Sequence, residues 1–97
     1  MLDLEKLVID RLRSFNERLP GPRRVAARRD GVVIGRDAAF DSLDAVEFMM
    51  ELEDAIAALI GRRVDVCRRV EQIGQDVVTV GDLAACVEQL LADALVA

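Results

Sequence analysis

Ninety-seven residues give one domain with a single modest core and are too few for two. A composition that is 53% hydrophobic and 3% aromatic, rich in Ala, Leu and Val, favours helices packed through aliphatic stripes over a β-sandwich. The net charge of −5 argues against nucleic acid as the main partner and towards basic protein surfaces, and the absence of histidine removes the commonest general base and metal ligand.

The first element is an amphipathic helix. Leu4, Leu7, Val8, Leu12, Phe15 and Leu19 recur at three- and four-residue steps, which predicts a helix from about Asp3 to Leu19. Asp3 and Glu5 suit its positive end, Arg18 suits the other, and Pro20-Gly21-Pro22 stops it. Residues 20–40, PGPRRVAARRDGVVIGRDAAF, then form a long connection. A loop of that length needs an anchor in a compact domain, and Val32, Val33 and Ile34 are expected to tuck against the core and pin it. Arg23, Arg24, Arg28 and Arg29 read first as a solvated face. The second reading is that they lie near the acidic stretch that follows and partly neutralise it.

The second helix is predicted to start near Asp41 or Ser42, with Asp41 capping its first turn and Asp44 and Glu47 at the positive end of its dipole. Val46, Met49/Met50, Leu52/Glu53, Ile56 and Ile60 give its apolar stripe, and Gly61 closes it. The segment VDVCRRVEQIG carries a short helix ended by Gly74. The last helix opens with Thr79-x-x-Asp82, a capping-box-like pair, and Leu83, Cys86/Val87, Leu90, Leu91, Ala94 and Leu95 are expected to face the core. The fold class is therefore all-α, three main helices and a short one, in a single domain over residues 1–97. Cys67 and Cys86 form neither a zinc nor a redox pattern and read as small buried thiols in a reducing cytosol. Neither a signal-peptide h-region nor a membrane-spanning run is visible, so a soluble cytoplasmic protein is expected.

The densest chemistry lies in AAFDSLDAVEFMMELEDA, residues 38–55, where six carboxylates surround Ser42 without a single basic residue. Ser42 follows a loop at a helix start, so its hydroxyl should be exposed. No group stands ready to activate it, because there is no histidine and the single lysine is Lys6. On position alone it reads as a capping serine.

The flanking residues say more. Asp41-Ser42-Leu43-Asp44-Ala45-Val46-Glu47 resembles the D-S-L-x-x-V-E modification motif of acyl carrier proteins. The first amphipathic helix, the long loop, FMMELEDAI, the short third helix and VVTVGDLAACVEQLL match that family's layout over nearly the whole chain. The resemblance implies a four-helix acyl-carrier-like bundle and a single acyl carrier domain. It also implies that a phosphopantetheinyl transferase esterifies Ser42 with 4′-phosphopantetheine, whose thiol then carries acyl groups as thioesters. Fatty-acid, specialised lipid or polyketide synthesis would be the setting. The chain itself would be no enzyme, since the transferase supplies the chemistry. A helix N-terminus suits the new phosphate.

Implied partner-binding residues are Asp41, Leu43, Asp44, Val46, Glu47 and Met50, with Glu53 and Asp54 as a second acidic patch. Glu51 reads as solvated surface. Asp41, Asp44 and Glu47, spaced by three, share a helix side, and their mutual repulsion is tolerable if that side docks on basic patches. The partners implied are the transferase, an acyl- or aminoacyl-loading ligase, and downstream synthase or transferase enzymes. No metal, no nucleic acid and no membrane span are expected, and the carrier is expected to act as a monomer. An aliphatic interior with few aromatics is compatible with an acyl chain slipping inside.

Departures from the family pattern are specific. The family usually has glycine where Ala39 stands. Phe40 resembles carrier domains of modular polyketide synthases, whereas EFMMELED resembles freestanding fatty-acid carriers. Extra residues fall around 22–36 and 61–76. Together these point to a specialised carrier. Two rival readings are an aminoacyl or peptidyl carrier served by an adenylating ligase, against which the missing G-G-x-S counts, and an unmodified helical interaction module.

Overall fold

The structure is a computed structural model and describes residues 3–96. The elements run α1 (Leu4–Asn16), β1 (Val32–Ile34), α2 (Ser42–Ile60), α3 (Val66–Ile73), β2 (Val78–Thr79) and α4 (Val80–Val96), with one 3₁₀ turn at Gly21–Arg23. The molecule is mainly helical, as expected, but not purely so. β1 and β2 pair antiparallel with Val32 opposite Thr79 and Ile34 opposite Val78, and the register is interrupted between the two pairs. The two-stranded pairing corrects the all-α expectation to a mainly helical fold with a small sheet. Both strands are runs of β-branched residues, too short to show a periodicity of two. The anchoring role expected of Val32–Ile34 is thus met by strand pairing as well as by burial of Val33.

Asp3 caps α1, accepting a hydrogen bond from the Lys6 amide at 3.0 Å. The helix ends at Asn16 rather than Leu19. Its last amides turn to tighter partners, Arg18 N to Phe15 O and Leu19 N to Asn16 O, before Pro20. Asn16 then clamps the loop. Its side-chain amide donates to Val25 O at 2.8 Å, and its carbonyl accepts from Val25 N at 3.2 Å. This pins Val25 into the core.

All four helices contribute to one core. Val8 and Leu12 come from α1, Leu52 and Ile56 from α2, Val66 from α3, and Leu83 and Val87 from α4. The three phenylalanines meet at one corner. Phe15, Phe40 and Phe48 stand with ring centroids 5.3, 5.6 and 6.0 Å apart in tilted and edge-on pairs. Phe48 is fully buried there and sets the rotation of α2. The inward face is therefore Ala45, Phe48, Met49, Leu52, Ala55 and Ile56, while Val46 and Met50, expected in the stripe, are exposed. Leu95, expected in the core, is 73% exposed near the end of α4.

Gly61 and Gly74 close α2 and α3 in the left-handed region, with φ of 72° and 68°. The start of α3 is capped twice. Asp65 accepts from Arg68 N at 2.9 Å, and the buried Glu53 accepts from Val66 N at 2.8 Å and Cys67 N at 3.3 Å. Glu53 thereby joins α2 to α3. Glu53→Ala, which strands two amides of this first turn, should cost about 2 kcal/mol. Glu53→Gln, which keeps an acceptor, should cost less. Urea unfolding midpoints of the two variants check this ordering, and equal losses would refute the capping role.

Candidate functional site

The backbone of Asp41 is extended, with φ −81° and ψ 179°, and the chain enters the helix at Ser42. Asp41 Oδ1 accepts from Asp44 N at 2.7 Å, and Asp44 Oδ2 accepts from Asp41 N at 3.3 Å, a reciprocal capping box. The cap is thus Asp41. Ser42, first residue of the helix, is exposed and is not needed to satisfy the helix end. The plain capping explanation of this serine falls away.

Ala39 occupies the position where a glycine was expected from the resemblance. Among the described residues only Gly61 and Gly74 have positive φ, so the turn before Asp41 carries an alanine without strain.

Asp44 faces inward, 4% exposed. Arg23, brought over by the 3₁₀ turn, donates through Nη2 to both of its oxygens at 2.5 and 2.6 Å and lies 3.7 Å from the Asp41 carboxylate. The hydrogen bond from Arg23 holds the Asp44 carboxyl below its usual range, helped by the amide of Asp41 and opposed by desolvation. The same contact keeps Arg23 still more firmly protonated.

The other acids of α2 divide in the same way. Glu51 accepts from Arg18, whose guanidinium also sits 4.8 Å above the Phe15 ring. Asp54 pairs with Arg63 at 2.9 Å, and the same arginine lies 3.9 Å from the inward-turned Glu53. Four of the six carboxylates therefore have an arginine of this chain beside them, and Asp41 has Arg23 within reach. Glu47 alone has none among the described residues. It is exposed, between Leu43 (65% exposed), Val46 and Met50 (51% exposed), at spacings that put all four on one helix face. So Asp41, Ser42, Leu43, Val46, Glu47 and Met50 come together at the exposed start of α2, Asp54 lies further along, and Asp44 and Glu53 are tucked beneath.

Two grooves border this region. One, of about 400 Å³, runs between the turn after β1 and the first turn of α2, and Ser42 lines it. The other, of about 420 Å³, lies between α2 and the start of α3 and is lined by Met50, Glu53, Arg63, Val64, Asp65 and Cys67. Both cysteines are free, and burial raises both thiols above their ordinary values. No group of three potential metal ligands is found among the described residues.

The Arg23–Asp44 pair matches the second of the two readings of the arginine-rich loop, and nothing in a sequence reports a contact across 21 positions. The capping box had a signal: Asp41-x-x-Asp44 repeats the spacing of Thr79-x-x-Asp82, which also closes reciprocally at 3.0 and 3.2 Å. The pair predicts a pH response. With its carboxyl lowered, Asp44 stabilises the fold above the unfolded-state value of about 3.9, and this is lost as pH falls through the lower folded-state value. In urea unfolding, wild type should therefore exceed Arg23→Gln in stability at pH 7 by more than at pH 3. A gap that does not shrink on acidification would remove the ion pair as its source.

No family model matches the chain, and no curated protein or solved structure matches it, so the functional reading stands on the residues and their geometry.

Proposed function

We propose that this chain is an acyl carrier, with Ser42 as the attachment point of a 4′-phosphopantetheine arm. The observation that carries the reading is an exposed serine at the first position of a helix already capped by Asp41, set in Asp41-Ser42-Leu43-Asp44-Ala45-Val46-Glu47. A hydroxyl released from capping and given no base is suited to be a substrate, not a nucleophile of the chain's own catalysis. In the transfer, Ser42 Oγ bonds to the β-phosphorus of coenzyme A and the pyrophosphate P–O bond breaks. Adenosine 3′,5′-bisphosphate leaves, and the hydroxyl proton goes to the transferase. The phosphate then sits at the free N–H groups of the first turn of α2, where the dipole favours an anion.

The exposed stripe of Leu43, Val46 and Met50 with Glu47 beside it is the surface we assign to partner enzymes: the transferase, a loading ligase and the synthases or transferases downstream. Glu47 and Asp41 are the acids best placed to meet a partner's cation. Asp44, held by Arg23, serves the helix start first. Such a carrier would work in fatty-acid, specialised lipid or polyketide synthesis, in the cytoplasm. No helix of the described residues is long and apolar enough to cross a membrane.

Incubation with a broad-specificity phosphopantetheinyl transferase and coenzyme A, followed by intact-mass measurement, tests the assignment. Wild type should gain one arm and Ser42→Ala none. An unmodified wild type, or a modified Ser42→Ala, would leave an interaction module as the better reading. Glu47→Lys should lower kcat/KM of modification at least several-fold at low salt while helical circular dichroism stays unchanged. Unaltered rates would exclude electrostatic docking through this residue.

A further inference from the structure

We propose that the groove between the β1–α2 turn and the first turn of α2 is the resting seat of the arm on Ser42, and that Arg36 is the counter-ion of its phosphodiester. The proposal rests on the carrier reading and adds to it a place for the arm. Gly35, Ala38 and Ala39 form the turn side of the groove, Ser42 and Ala45 the helix side, and Phe40 contributes from the core. Gly35, Ala38, Ala39 and Ala45 are the small residues that keep it open. At about 400 Å³ it lies within the roughly 300–1,000 Å³ usual for small-molecule sites. An arm leaving Ser42 starts at this wall and reaches the apolar side without crossing the helix.

The charge agrees. Arg36 lines the groove and is exposed, and among the described residues it makes neither an ion pair nor a hydrogen bond to another side chain or to the backbone. Arg18, Arg23 and Arg63 are all committed to carboxylates of α2. Asp41 also borders the groove, at its helix end, and has Arg23 within 3.7 Å. A diester at Ser42 therefore has one unclaimed guanidinium lining the same groove, and charge-assisted hydrogen bonds of the guanidinium–phosphate kind are among the strongest available. The groove between α2 and α3 offers less: Ser42 does not line it, and Glu53 and Asp65 stand in its wall.

The test compares apo and phosphopantetheinylated protein in ¹H–¹⁵N spectra, with complete modification checked by intact mass for wild type, Arg36→Ala and Ala39→Leu. The proposal expects arm-induced shifts at Gly35, Arg36, Ala38, Ala39 and Phe40 of wild type, and their loss in Ala39→Leu, where the added side chain fills the groove. Arg36→Ala, an exposed change that leaves the core untouched, should weaken the same shifts even if Ala39→Leu packs poorly. Fully modified wild type whose shifts fall instead at Met50, Val64 and Cys67, or only next to Ser42, overturns the seat and leaves the carrier reading intact. Shifts in both variants that equal those of wild type also overturn it. Absence of added mass on wild type overturns the reading and the seat together.

Discussion

A carboxylate with 4% of its surface exposed must be held by donors, and Asp44 is held on every side. It accepts from the amide of Asp41 and from Arg23, and its own amide donates to Asp41. Each contact fixes something else. The exchange with Asp41 sets where α2 begins, which makes Ser42 the first helical residue. The contact with Arg23 draws the 3₁₀ turn of the long loop onto the helix start. Behind it, Phe40 packs on Phe15 and Phe48 and fixes the rotation of α2 about its axis. Removing the arginine alone would leave a buried charge without its main partner, which is the costlier way to break such a pair.

The same pairing changes the meaning of an acidic helix. By sequence, six carboxylates in residues 38–55 describe a strongly negative surface. In the fold, Arg18, Arg23 and Arg63 come back to that surface from the turn after α1, the first loop and the loop after α2. Exposed pairs such as Arg63–Asp54 contribute little to stability. They still reduce the field around the helix, so on the proposed carrier reading recognition would fall more heavily on Leu43, Val46 and Met50 with Glu47 as the charged marker. A partner of that kind would need an apolar recess with a cation at its edge more than a broad basic patch.

Much of this was legible along the chain. The caps at Asp3, Asp41 and Thr79, and the stops at Gly61 and Gly74, depend on neighbours within four residues, and their signals are local. The stripe written through Leu52/Glu53 already put Glu53 on the inward side of α2. Its reading as a surface acid gave way because an amide partner 13 residues on, Val66, cannot be seen locally. The strands escaped for a different reason. Three residues and two residues are too few for an alternation, and their pairing joins positions more than 40 apart. Periodicity alone runs the apolar stripe of α2 through Val46 and Met50, which the resemblance assigned to a partner-facing surface, because a stripe is located only to within about one residue of rotation. The burial of Phe48 supplied the missing phase.

The extra length of the first loop is where these effects converge. Residues 22–36 bring Arg23 to Asp44, Val25 to Asn16, β1 to β2 and Arg36 to the groove beside Ser42. A shorter connection could stabilise the helix start or wall the groove, but would have to find both from fewer residues. Ala39 belongs to the same solution. With no left-handed turn to make before Asp41, a glycine is not required, and its backbone freedom would be an entropic cost in the unfolded chain. The alanine methyl instead packs towards the core and lines the groove, so the residue that fits the resemblance least is also one that shapes the space next to the serine.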